Sequence, residues 1–179
     1  RAGRTLDAFR APGDAWGAAS ALGTLARVAH VHADLPALAV AASESAALFR
    51  SVGDRRGQLN ATGWLAAHAE LAGDFDRAAR LQTEGLRLAE ELGLRPAVAE
   101  KFGSLGWLAV RRGDPERARE LSGQALRLAT ECGHQPTEIF ASLGLGFAAA
   151  RLGDLDQAEA VLGDVLRAAD PAALSVPLV

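Results

Sequence analysis

The chain has 179 residues, of which 49% are hydrophobic but only 5% aromatic, so we expect packing mainly between Ala and Leu side chains. The formal net charge of −3 argues against a nucleic-acid-binding surface. Cys132 is the only cysteine, which excludes an internal disulfide framework or a cysteine-rich metal site.

The first predicted element is residues 1–12, which we interpret as the tail of a helix whose beginning is missing. The run from Phe9 to Asp14 matches the later run from Phe49 to Asp54 at its aromatic, basic, glycine and aspartate positions. A disordered leader is the alternative. Because the chain lacks Met and opens at Arg1, we expect it to be a fragment of a larger protein.

Turn signals then follow at regular intervals from Gly13 to Gly153, most of them Gly or Gly-Asp. Glycine ends a helix by adopting the left-handed conformation, and aspartate caps the next helix by accepting bonds from its free N–H groups. The short connectors predict antiparallel neighbours. The predicted first helices are 15–32, 55–72, 96–112 and 136–152, and the second helices are 35–50, 75–92, 115–132 and 155–169.

A frame of small residues repeats with a fixed period of about 40 residues, which is typical of helical repeat proteins. Leu105-Gly106, Gly113-Asp114, Ala118 and Ala125 have counterparts one period upstream and one period downstream. The first copy is fainter, and Ala33 replaces its turn glycine. We predict one domain spanning residues 1–179, with repeats near 13–52, 53–92, 93–132 and 133–170 and a further helix or a tail at 171–179.

This frame resembles the tetratricopeptide repeat, in which a Leu-Gly or Leu-Ala pair, a Gly-Asp turn and two small residues seven apart recur. The resemblance implies an all-α fold, a right-handed α-solenoid of about four antiparallel helix pairs. It also implies a non-enzymatic module for protein–protein interaction. The junctions at residues 48–57 and 86–93 are similar to the C-terminal arrays of actinobacterial LuxR-type activators and Streptomyces antibiotic regulatory proteins. That similarity implies a regulatory or sensor arm of a bacterial transcriptional regulator.

Motifs for catalysis are missing from the sequence, which has no phosphate-binding loop and no His-Glu-x-x-His pair. His30 and His32 point roughly 200° apart on a helix, so they cannot share a metal ion. Glu70 and Glu100 form the single acid pair that would support an enzymatic function. We therefore expect no enzyme activity, no metal and no cofactor.

The face of the first helices is the predicted binding surface, because first helices line the concave side of such arrays. Trp107, Phe140, Leu143 and Phe147 would form an apolar patch there, unless a helix begun by residues 174–179 buries it. The basic cradle needed to grip a C-terminal carboxylate is missing. The predicted partner-binding residues are Arg27, His30, Asn60, Trp64, Glu70, Glu100, Trp107, Arg111, Phe140, Leu143, Phe147 and Arg151.

We expect the partner to be a protein or peptide, which includes other domains of the parent protein. A small-molecule effector in the groove is one alternative, and self-association through exposed apolar ends is another. No apolar run approaches the roughly 20 residues that cross a bilayer, and no signal peptide is recognisable. We therefore expect a cytoplasmic protein that contacts neither membrane nor nucleic acid directly.

Overall fold

The computed structural model describes residues 13–168, and the predicted elements at 1–12 and 171–179 lie outside this range. The described residues form eight α-helices and no β-strand, which confirms the all-α prediction. None of these helices is long and apolar enough to cross a membrane. The helices are α1 (Ala15–Val31), α2 (Leu35–Ser51), α3 (Arg55–Leu71), α4 (Phe75–Glu91), α5 (Arg95–Arg112), α6 (Pro115–Cys132), α7 (Gln135–Leu152) and α8 (Leu155–Ala168).

The chain divides into two compact units between Leu94 and Arg95, with α1 to α4 in the first unit and α5 to α8 in the second. In each unit the two helices of a pair pack against each other, and the second helix of one pair packs against the first helix of the next. The first helices of the two pairs also touch. Each unit therefore shows the helix-pair stacking of an α-solenoid.

Most connectors follow the predicted pattern of a glycine and a capping aspartate, whereas Leu94 and His134 take the aspartate position after Gly93 and Gly133. At the second connector, the Asp54 N–H donates to the Phe49 carbonyl, 3.0 Å away, and closes the last turn of α2. The Asp54 side chain then accepts from the N–H of Gly57 at 2.9 Å, which satisfies one free donor of α3. The same side-chain cap occurs at Asp14, Asp34, Asp74, Asp114 and Asp154.

Ala33 occupies the one described connector that has lost its glycine, and it adopts a left-handed φ of 52°. The equivalent glycines, such as Gly73 with φ of 78°, adopt this conformation without a Cβ. An L-residue in the left-handed region brings its Cβ close to the following carbonyl oxygen. The first repeat therefore keeps the turn geometry at the expense of local backbone strain.

Replacing Ala33 by Gly should raise the free energy of unfolding by about 0.5 to 1 kcal/mol, since relief of the left-handed strain exceeds the added entropy of the unfolded chain. Urea denaturation followed by circular dichroism measures the change. Gly73→Ala is the control, because a Cβ there meets no atom within 4 Å and only the backbone effect remains. The Gly73→Ala variant should lose about 1 kcal/mol of unfolding free energy. A less stable Ala33→Gly variant would contradict this account.

Small side chains allow the helices to approach closely, and alanine dominates the buried residues. A Cβ on Gly57 of α3 would lie 2.1 Å from the Phe49 ring of α2, so the ring rests directly on the glycine backbone. A Cβ on Gly106 of α5 would lie 2.4 Å from Ser122 Oγ of α6, and a Cβ on Gly144 of α7 would meet the same atom at 2.4 Å. The small residues of the repeat are therefore contact points between neighbouring helices.

Candidate partner-binding face

Three aromatic rings form a cluster on the first helices of the second unit. The ring centroids of Trp107 on α5 and Phe147 on α7 lie 5.8 Å apart in an edge-on arrangement, and those of Trp107 and Phe140 lie 6.0 Å apart. Such tilted pairs contribute about 0.5 to 1.5 kcal/mol beyond their burial. Trp107, Phe140 and Phe147 are called the aromatic face below.

The repeat frame explains why these rings meet. Trp107 and Phe147 are separated by one repeat period, so they occupy the same position on two neighbouring helices. Phe140 reaches them because a glycine, Gly103, lies beneath its ring: a Cβ there would lie 3.2 Å from Phe140 Cδ1. Phe147 remains 42% exposed although it is a large apolar side chain. Leu143, one turn from Phe140, is half-buried.

Charged side chains lie at both ends of the aromatic face. Glu100 is exposed near the start of α5, and its carboxylate lies 3.5 Å from the buried ammonium group of Lys101. Arg111 and Arg151 are exposed in the last turns of α5 and α7. Glu100 and Arg111 are separated by about 16 Å along the helix axis. The face is therefore apolar in the middle, acidic at one end and basic at the other.

A small cavity of about 130 Å³ lies at the basic end of the face. Arg151 lines it together with Val110 and Ala148, which are buried, with Gly113 of the connector and with Pro115 at the start of α6. A water molecule occupies about 30 Å³ of liquid volume, so the cavity has room for a small polar group beside the guanidinium. This places a positive charge next to unfilled space.

The predicted residues of the first unit form a different environment. Trp64 of α3 packs against the buried cluster around Leu22 and Leu38, and its ring centroid lies 5.8 Å from that of His30. It is therefore partly a core residue. Nδ1 of His30 is buried and makes no hydrogen bond with any described residue. Arg27 and Asn60 are exposed.

Ring contacts join His30 with Trp64 in the first unit, and Trp107 with Phe140 and Phe147 in the second unit. Glu70 is half-buried in the first unit, whereas Glu100 belongs to the second unit. Their role as an acid pair stays a prediction. Among residues 13–168, no group of three or more His, Cys, Asp or Glu side chains could hold a metal ion. Cys132 is a free, half-buried thiol at the end of α6.

One polar link between repeats was not anticipated from the sequence. Trp16 at the start of α1 donates its indole N–H to Asp54 Oδ2 at 2.8 Å, while Oδ1 of the same carboxylate caps α3. The hydrogen bond from the Gly57 N–H, and to a smaller extent the hydrogen bond from the Trp16 indole, hold the pKa of Asp54 below its ordinary value of 3.8. Asp54 therefore connects two helix pairs as well as capping one.

Asp54→Asn should be less stable than the native chain at neutral pH, and this difference should shrink in acid. Because the folded pKa is lowered, the carboxylate contributes stability above its unfolded pKa and loses it as the pH falls through the folded value. Urea denaturation at a series of pH values tests this. Asp74→Asn, at a cap without an indole donor, should show a smaller difference. A difference in unfolding free energy between Asp54→Asn and the native chain that stays constant with pH would contradict the prediction.

Repeated helix pairs and small residues at the contacts between helices together define a tetratricopeptide-like α-solenoid fold. The tetratricopeptide repeat family model matches residues 57–131, from α3 to α6. No curated protein matches the chain. The sequence match to the family thus covers the middle of the chain.

Solved structures of similar fold cover more of the chain than the family model does. BtubC from P. vanneervenii has a TM-score of 0.77 at 19% identity, over 93% of this chain and 70% of BtubC. The apo form of RapI has a TM-score of 0.77 at 14% identity, over 86% of this chain and 56% of RapI. A Rap protein complexed with Competence and Sporulation Factor has a TM-score of 0.77 at 17% identity, over 84% of this chain and 42% of that protein. This chain thus spans about half the length of the two Rap proteins, and the likeness concerns the fold.

Proposed function

We propose that the chain is a non-enzymatic protein-interaction module and that its aromatic face binds a protein or peptide partner. The observation that supports this most directly is Phe147, which is 42% exposed while its ring packs against Trp107. Exposed clusters of large apolar side chains are typical of interaction sites. Aromatic residues also carry much of the binding energy at such sites.

The charges around the aromatic face suggest what the partner contains. An apolar side chain of the partner would rest on Trp107 and Phe147. A basic group would face Glu100, and an acidic group would face Arg151 beside its cavity. The Rap protein solved with Competence and Sporulation Factor supports ligand binding by an array of this fold. The proposed partner is therefore a segment with an apolar centre and oppositely charged ends.

A random peptide library displayed on phage and selected on the purified chain tests the proposal. We expect enriched peptides to carry an aromatic or aliphatic residue between basic and acidic positions. The double variant Trp107→Ala/Phe147→Ala should bind them about 30-fold or more weakly, as expected for loss of a hot spot. Trp16→Ala removes an exposed tryptophan of the first unit and should bind normally. Unchanged binding by a folded double variant would refute the proposal.

We also propose that the module is a cytoplasmic regulatory or sensor arm of a bacterial transcriptional regulator. The junctions at residues 48–57 and 86–93 support this through their similarity to such arrays. Sequencing the gene around this segment is the test. Flanking nucleotide-binding and DNA-binding domains are expected, and an open reading frame with neither would contradict this assignment.

A further inference from the structure

The two charged ends of the aromatic face differ in how far the chain itself compensates their charge. At the acidic end, the Glu100 carboxylate lies 3.5 Å from the ammonium group of Lys101, so part of its charge is neutralised within the chain. At the basic end, Arg151 makes no ion pair and no side-chain hydrogen bond with any residue between 13 and 168. The charge of Arg151 is therefore the one that a partner can compensate.

The cavity beside Arg151 has apolar walls. Its volume is about 130 Å³, and the residues that line it with Arg151 are Val110, Gly113, Pro115 and Ala148. This is the volume of about four water molecules in the liquid, whereas a carboxylate has three heavy atoms. A charge pair beside such walls is screened less than a pair in open water. The cavity therefore has the size and the surroundings for one carboxylate.

The guanidinium group of Arg151 decides which chemical group the cavity favours. An apolar side chain would fill the volume but would displace water from the guanidinium without replacing its hydrogen bonds, which costs free energy. A basic group would be repelled. A carboxylate accepts two parallel N–H bonds from a single guanidinium. Arg111, at the equivalent position of α5, does not line the cavity, so one lining cation matches one carboxylate.

The place of Arg151 on α7 sets its distance from the aromatic face. Phe147 and Arg151 are four residues apart, which is about 6 Å along the helix axis. Two residues of an extended segment span about 6.6 Å. When an apolar side chain of such a segment rests on Phe147, the residue two positions away lies level with the cavity.

We infer that the cavity beside Arg151 is a specificity pocket for an aspartate or glutamate side chain of the partner. This residue lies two positions from the apolar side chain that rests on the aromatic face, in an extended segment. The inference rests on the proposed function and adds the residue type and the spacing that the partner needs. A basic residue opposite Glu100 contributes less selectivity, because Lys101 already compensates that carboxylate.

Selection from a focused phage library tests the inference. One phenylalanine is fixed, the four positions on each side of it are random, and display at the N-terminus of the coat protein leaves no free carboxyl terminus. The native chain should enrich aspartate or glutamate two positions from the phenylalanine. Arg151→Glu should enrich lysine or arginine there instead, because its charge is reversed while the aromatic face is intact. A synthetic peptide from the native selection should bind Arg151→Glu about 10-fold or more weakly.

Arg127→Glu is the matched control, because it changes the net charge equally within the same unit. Arg127 is exposed on α6, about 18 Å along the helix from Pro115, and does not line the cavity. This variant should select the same peptides as the native chain, and circular dichroism should show native helix content in both arginine variants.

The outcomes separate this inference from the proposed function. Enriched peptides without an acidic preference at the stated spacing overturn the inference, and so does an acidic preference that persists in Arg151→Glu. An acidic preference that appears only in peptides with a free carboxyl terminus also overturns it, because a terminal carboxylate would then occupy the cavity. In these cases the proposed function stands if Trp107→Ala/Phe147→Ala loses the enriched peptides. If that double variant retains them, the proposed function fails and the inference fails with it.

Discussion

Replacing Leu108 by Ala should lower the free energy of unfolding by about 3 kcal/mol, within the range for buried leucines. Leu108 is one of the largest side chains that the described residues bury completely, with 2% of its surface exposed. Most of the buried hydrophobic residues are alanine, and alanine has no flexible side chain that could move into the space. The cavity should therefore remain open and add to the lost transfer free energy.

Urea denaturation of the two chains, followed by circular dichroism, gives this difference. Leu155→Ala is the control, because Leu155 is exposed on α8, and it should change stability by less than about 0.5 kcal/mol. If Leu108→Ala lost no more unfolding free energy than Leu155→Ala, Leu108 would not be the packing residue that its burial indicates.

The second large effect is expected at Gly106. Alanine is a better helix former than glycine by about 1 kcal/mol, yet Gly106→Ala should destabilise the chain by about 2 kcal/mol through overpacking. Its Cβ would lie 2.4 Å from Ser122 Oγ and 3.0 Å from the Ser122 backbone nitrogen. The hydroxyl can rotate away, but the backbone nitrogen belongs to α6, and α6 would have to shift.

We expect the opposite effect, a gain in stability, from Gly123→Ala on the neighbouring helix α6. A Cβ at Gly123 meets only the flexible end of Arg127, at 3.6 Å, so this variant should gain about 0.5 to 1 kcal/mol from helix propensity. Comparing the urea midpoints of the two variants separates close helix contact from intrinsic preference. Two stabilised variants would show that Gly106 is not a contact point.

Much of the fold could be predicted from the sequence because local chemistry and periodicity agree. The Gly-Asp connectors combine a left-handed residue with a helix cap, and the predicted helix bounds lie close to those observed. The repeat period also places Trp107 and Phe147 at equivalent positions of neighbouring helices, where their rings meet.

Features that break the repeat could not be predicted in this way. Trp16 and Asp54 lie in different helix pairs, and the indole occurs at this position in the first pair only, so no repeated pattern indicates their bond. Lys101 is a buried lysine at a position where the second and fourth pairs bury an alanine, Ala61 and Ala141. The repeat therefore does not predict a charged side chain there. The burial of Trp64 also depends on tertiary contact with Leu22 and Leu38, which helix periodicity does not specify.

The most direct test of the proposed function is the fluorescence of Trp107 during partner binding. In the variant Trp16→Phe/Trp64→Phe, Trp107 is the only tryptophan, and it reports on the aromatic face alone. When a selected peptide is added, its emission should shift to shorter wavelength and acrylamide should quench it less, because the partner covers the ring. A peptide that binds by calorimetry without changing Trp107 emission or quenching would show that the partner binds elsewhere.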